Sequence, residues 1–147
     1  MKSLSQKRAD FTLEKVKSYL NTISQKDSKE FKSFVAGIPA MILQNGLGLT
    51  LAFLLSKQET GKKTKHKEAF DEIKEWLTLK SDLTRPIFNS NTSLKNYTEA
   101  DFLKFLNNLD QKDYRIVQQE VLSLLEWIKR YAAAFVLEEE TNETEQS

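Results

Sequence analysis

The sequence predicts an all-α protein, a compact single-domain bundle of about five or six helices closed by a long C-terminal one. Three observations carry this. Only four glycines and two prolines occur among 147 residues, too few for the turns of a β fold. Apolar residues recur three and four apart along most of the chain, the period of a helix with one buried side. Residues that cap helices stand just ahead of several of these runs. With 39% hydrophobic and 29% charged residues, the composition is that of an ordinary globular domain, and the length suits a single core.

The first helix is predicted from Ser3 or Ser5 to about Ile23, with Ala9, Leu13, Val16, Leu20 and Ile23 as its buried stripe. Asp27-Ser28-Lys29-Glu30 has the form of a capping box and is expected to open a second helix through Phe31, Phe34, Val35 and Ile38. Pro39 removes a backbone donor and should bend or break that helix. Gln44-Asn45-Gly46 should terminate it, because Asn and Gly tolerate the left-handed backbone found there. The segment from Leu47 to Leu55 is apolar nearly all round, and Gly48 would admit a close neighbour, so this helix is expected at the centre of the domain. Glu59 to Lys67 reads as an exposed loop carrying Lys62, Lys63, Lys65, His66 and Lys67.

A fourth helix from about Lys67 to Leu79 offers Phe70, Ile73, Trp76 and Leu77 at helical spacing. Ser81 to Tyr97 is rich in Asn, Ser and Thr, contains Pro86, is longer than most connections in a compact domain, and is expected to be variable or mobile, with Ile87 and Phe88 pinning it to the core. Thr98 to Asp101 resembles another capping signal, ahead of Phe102, Phe105, Leu106 and Leu109. Asp110 opens the last helix, whose stripe of Val117, Val121, Leu124, Ile128, Tyr131 and Phe135 predicts about 27 residues and a length near 40 Å.

Charge divides the chain unevenly. The net charge is +1, but Glu138, Glu139, Glu140, Glu143 and Glu145 leave residues 1–137 with 22 bases against 16 acids, a net +6. The expected organisation is therefore a helical domain over 1–137 and an acidic, disordered tail over 138–147. A basic body favours a polyanion as partner without requiring one.

Enzymatic chemistry lacks its parts. There is no cysteine, His66 is the only histidine, and no zinc-protease, P-loop or dinucleotide motif occurs. The lysines around His66 oppose its protonation and repel a cation. Carboxylates such as Asp71 with Glu75, or Asp110 with Asp113, have lysines or helix N-termini nearby that account for them structurally. No catalytic residue, metal ligand or cofactor is expected. The N-terminus lacks an apolar signal core, and the run from Leu47 to Leu55 is about half of what a bilayer span needs. A cytoplasmic protein without a membrane partner is the expectation.

Two basic lines remain. Arg8 and Lys15 are seven residues apart and share one edge of the first helix; Arg115 and Lys129, with Arg130 adjacent, share a line on the last. Such spacing suits regularly spaced phosphates, which are recognised by charge and not by base identity. Phe31, Phe34, Trp76 and Phe102 fall on apolar stripes and are expected in the core, not stacked on bases.

The run Pro39-Ala40-Met41-Ile42-Leu43-Gln44-Asn45-Gly46-Leu47-Gly48-Leu49-Thr50-Leu51-Ala52-Phe53-Leu54-Leu55-Ser56-Lys57 resembles the signature of the small-subunit family of the type III-B CRISPR effector, the Cmr complex. Gln6-Lys7-Arg8-Ala9 leading to Val16 is similar to that family's first helix. Tyr114-Arg115 through Glu120 to Glu126-Trp127-Ile128-Lys129-Arg130-Tyr131-Ala132 is similar to its last. The resemblance implies a non-catalytic subunit of the RAMP module that stacks with further copies of itself into a minor filament. It implies the large backbone subunits, the guide RNA and the target RNA as partners. Arg8, Lys15, Arg115, Lys129 and Arg130 are the expected phosphate contacts in antiviral defence. Two other readings stand beside it. A helical protein–protein adaptor would bind no nucleic acid, and a helix-turn-helix DNA binder would have to read bases with Leu47 to Leu55, which offers almost no polar side chain.

Overall fold

Hydroxyl or carboxylate groups at Ser3, Ser24, Thr64, Thr98 and Asp110 each accept a backbone N–H three residues on, at 2.8–3.1 Å. Each satisfies a donor that the first turn of a helix leaves free. The helices that follow are α1 (Leu4–Leu20), α2 (Gln25–Asn45), α4 (Lys65–Glu75), α6 (Glu99–Asn107) and α7 (Gln111–Phe135). Between them lie α3 (Leu47–Ser56) and a short α5 (Arg85–Asn89), and α4 runs on into a π-helical turn over Trp76–Lys80. The computed structural model describes residues 1–89 and 98–137. Expectations about the tail over 138–147, and about 90–97 of the stretch from Ser81 to Tyr97, lie outside the described residues.

The architecture is all-helical, as predicted. Helix α7 packs along α1 and α2, while α3 lies between α2, α4 and α6. The core is filled by Trp76, Phe31, Phe70, Phe88 and Phe102 with the aliphatic stripes of α2, α3 and α7, all essentially without exposure. Phe102 meets Phe88 stacked at 5.5 Å and Phe70 edge-on at 5.9 Å between ring centroids. Among the described residues, no helix is long and apolar enough to cross a membrane.

Several local expectations change. Helix α2 begins on Ser24, not Asp27, and runs unbroken through Pro39. The one donor that proline lacks is offset by the packing of Val35, Ile38 and Ile42 on both sides of it. On α1 the buried line is Thr12, Val16 and Tyr19, rotated from the predicted stripe, and Thr12 can be buried there since its hydroxyl donates to the Arg8 carbonyl at 2.7 Å. Helix α3 is not buried all round: Leu47, Thr50, Leu51 and Leu54 face inward, but Leu49 is 63% exposed. The stretch expected to be variable or mobile contains α5, where Phe88 is fully buried and Thr84 donates its hydroxyl to the Leu77 carbonyl at 2.9 Å.

The α2–α3 turn behaves as its residues dictate. Gly46 has φ 85° and ψ 162°, a conformation open to glycine alone. Just beyond it, the Gly48 N–H donates to Tyr114 Oη at 2.8 Å and the Leu47 N–H to Gln118 Oε1 at 3.1 Å. A side chain on Gly48 would meet the Tyr114 hydroxyl at 3.4 Å. These bonds tie the start of α3 to the N-terminal part of α7. Gly46→Ala is expected to lower unfolding free energy by about 1–3 kcal/mol with an unchanged far-UV spectrum, measured by urea denaturation.

Candidate nucleic-acid interface

The two basic lines have different fates. Arg8 turns inward: its Nε lies 2.7 Å from Glu120 Oε1 and its Nη2 2.8 Å from Oε2, a bidentate pair. The Glu120 side chain is 1% exposed and that of Arg8 is 16% exposed, so the pair belongs to the interior. Trp76 Nε1 donates to the same Glu120 Oε1 at 2.9 Å. The hydrogen bonds to Glu120 hold the guanidinium more firmly charged, against the opposing effect of burial. Lys15 reaches Glu75 Oε2 at 2.9 Å across the α1–α4 seam and lies over the Phe11 ring at 5.6 Å. Both bases predicted on the first helix thus neutralise acids of the protein itself.

On α7 the outcome is reversed. Arg115 and Arg130 are exposed and Lys129 is half-buried, and none of the three forms an ion pair among the described residues. They lie along one side of a helix whose opposite side, from Val117 through Ile128 to Ala132, is fully buried. The rise from Arg115 to Lys129 is about 21 Å. Glu126, also exposed, stands between them and offsets part of their field.

The lysine-dense segment expected as an exposed loop is loop only as far as Thr64, since Lys65, His66 and Lys67 form the first turn of α4 and are partly buried, and it is also internally matched. Lys63 lies 3.1 Å from both Glu68 and Asp71, and Lys67 reaches Asp71 at 2.5 Å and Glu99 at 3.3 Å. His66 sits between Phe34 and Phe53, with ring centroids at 4.3 and 5.6 Å. Burial first, then Lys65 and Lys57, hold its pKa below the ordinary histidine value, so the ring is neutral at pH 7. Among the described residues, no three histidine, cysteine or acidic groups converge as metal ligands.

Sequence reasoning missed Glu120. The available signal was an acid three residues after Val117 and next to Val121, on the edge of the apolar stripe, in register with a basic residue on another helix. It also missed Glu68 and Glu72, which are 5% and 2% exposed. Their spacing of one turn on an amphipathic helix is that of many solvated faces.

Comparisons with known proteins bear on the family and the fold. A family model described as "CRISPR-associated protein (Cas_Cmr5)" matches residues 4–135. The fold is similar to the crystal structure of a CRISPR-associated Cmr5 family protein from Thermus thermophilus, with a TM-score of 0.63 and 21% sequence identity. That match covers 93% of this chain and 100% of the other.

Proposed function

This chain belongs to the Cas_Cmr5 family of CRISPR-associated proteins, and on that premise we propose that it holds the guide and target RNA of its effector by sequence-independent contacts to the phosphate backbone. As a member of that family it is a non-catalytic subunit of a type III-B CRISPR effector complex. The observation that carries the finer reading is the contrast between the helices. Arg8 and Lys15 are engaged within the protein, whereas Arg115, Lys129 and Arg130 have no acidic partner among the described residues. The phosphate contacts are therefore assigned to α7, and Arg8 and Lys15 are assigned to holding α1 in place.

Stacking with further copies, beside the large backbone subunits, draws support from the apolar surface. From Ser33 to Ser56 no residue is charged, although Leu43 is 71% and Leu49 63% exposed. At the other end of α7, Phe135 and Leu137 are 45% and 75% exposed beside a groove formed with Leu20 and Ile23. Two unlike apolar patches at opposite ends of the long helices suit a head-to-tail contact, which repeats instead of closing on itself. The same surface favours the adaptor reading, in which protein contacts are all that the chain makes.

One experiment separates the two. Arg115→Glu with Arg130→Glu is expected to leave the thermal midpoint and the assembly of the complex unchanged. Target-RNA retention should weaken, and its log–log salt slope should become shallower by about 1.4, from about 0.7 per lost single-strand phosphate contact and copy. Normal RNA retention by the assembled double variant would exclude the α7 line. Assembly with protein partners and no RNA contribution at any salt would favour the adaptor.

A further inference from the structure

Between α1 and α4 lies an open cavity of about 550 Å³. Two of the lysines that line it are matched to acids: Lys15 to Glu75 at 2.9 Å, and Lys63 to Glu68 and Asp71 at 3.1 Å each. Glu72, which also lines this cavity, is not matched. It is 2% exposed, both of its carboxylate oxygens are sealed from water, and no donor reaches either. It stands one helical turn from Glu68, the spacing at which two negative charges on a helix repel.

We propose that Glu68 and Glu72 share one proton in the folded protein, so that the seam between α1 and α4 is a proton-binding site that loosens as pH rises. A buried carboxylate without a donor needs a positive counter-charge or must become neutral. Oxygens closed to a water molecule are closed to a hydrated metal ion and to an ammonium group. A proton needs no space. Protonated Glu72 donates its O–H to the Glu68 carboxylate, which keeps its ion pair with Lys63.

The surrounding groups act in both directions. Burial, then the facing Glu68, hold the Glu72 carboxyl well above the ordinary value of 4.5, and Lys15 and Lys63 oppose this without prevailing. Tyr19, from α1, is pushed up to about 12 by burial, then by Glu68, Asp27 and Glu72, so it remains an uncharged phenol. For Lys63, burial works against its charge but Glu68 and Asp71 outweigh it, and it remains an ammonium. Asp71 and Glu75 complete the α4 face, each with its lysine.

The sign follows from linkage. Glu72 binds its proton more tightly in the folded chain than in the unfolded one. Its contribution to stability is thus fully present below the unfolded value and is lost as pH rises through the folded value. Since α1 packs on both α4 and α7, deprotonation at this seam also bears on how α7 is held.

The test is a series of thermal melts of the full chain from about pH 5 to about pH 9, for wild type and Glu72→Gln. The wild-type midpoint should fall as pH rises. Glu72→Gln keeps a donor for Glu68 and cannot titrate there, so its curve should lie flatter and several degrees higher at the alkaline end. Parallel curves would overturn the proposal. So would magnesium chloride or putrescine raising the wild-type midpoint but not that of Glu72→Gln, because the counter-charge would then be a cation. A carboxyl-carbon NMR titration of the wild-type protein covers the case in which the variant fails to fold. A Glu72 midpoint well above that of a free glutamate supports the shared proton, and an ordinary midpoint refutes it.

Discussion

Leu51→Asp is expected to abolish the cooperative unfolding transition altogether. Leu51 lies in the middle of α3, is 0% exposed, and belongs to the same buried cluster as Leu47, Leu54, Phe102 and Leu106. The substitution removes a branched apolar side chain from that cluster and leaves a carboxylate with no partner in its place. Either the charge is buried unpaired or the site opens to water, and each costs several kcal/mol. A domain of this size has a total stability of about 5–15 kcal/mol, so little or none would be left. Circular dichroism and size-exclusion chromatography should show a chain with reduced helicity that aggregates or elutes as an expanded form. A soluble, fully helical Leu51→Asp protein with a sharp melt would show that α3 is not central. Leu49→Asp is the control. Two residues away and 63% exposed, it should fold and melt almost as wild type, while weakening association between copies.

Glu120→Ala should destabilise the folded chain by about 3–5 kcal/mol, the cost typical of removing one partner from a buried ion pair. The side chain of Glu120 accepts from Arg8 through both oxygens and from Trp76 Nε1, so it ties α1 and the π-helical turn to α7. Its loss leaves a guanidinium and an indole N–H without a partner in a place that water scarcely reaches. Equilibrium urea unfolding measures the effect. Arg8→Met combined with Glu120→Met should restore much of the loss, because it removes the orphaned charge together with its partner. A loss below about 1 kcal/mol for Glu120→Ala would mean that the pair is solvated and behaves as a surface ion pair. Retention of RNA by the folded Arg8→Met, Glu120→Met protein would further separate Arg8 from phosphate binding.

The Glu120 pair is one part of how the small domain divides its charges. Its net positive body does not present all of its bases to solvent. Arg8 and Lys15 hold α1 to acids of α7 and α4, Lys63 holds the loop before α4 to acids of α4, and Lys67 joins α4 to α6. The bases left for a polyanion include those on the outer face of α7, which is the longest helix and the one fixed most completely from behind. Charges fixed on a rigid element suit a phosphate backbone better than the same charges on a loop, because less ordering is required on binding.

Much was legible in the sequence because the governing interactions are local. Thr98 and Asp110 cap α6 and α7 through N–H groups three residues away, and Gly46 ends α2 because no other residue adopts its backbone angles without strain. The period of Val117, Val121, Leu124 and Ile128 determined which side of α7 is buried, although the predicted stripe fails at its end, where Tyr131 is only partly buried and Phe135 is 45% exposed. The helical class, the long last helix and the family resemblance of residues 39–57 follow from such neighbouring positions. What only the tertiary structure decided is which charged residues remain available and which are enclosed. Arg8 and Arg115 look alike in the sequence, each a base beside an apolar stripe, yet one is bound to an acid more than a hundred positions away and the other is not. Glu72 looks like a solvated helix residue, and it is buried because α1 covers it. Pro39 lies within an intact helix because packing on α7 outweighs one missing hydrogen bond. Caps and periods are settled within a turn or two of the chain, whereas the partner of a charge is set by which helices the core brings together.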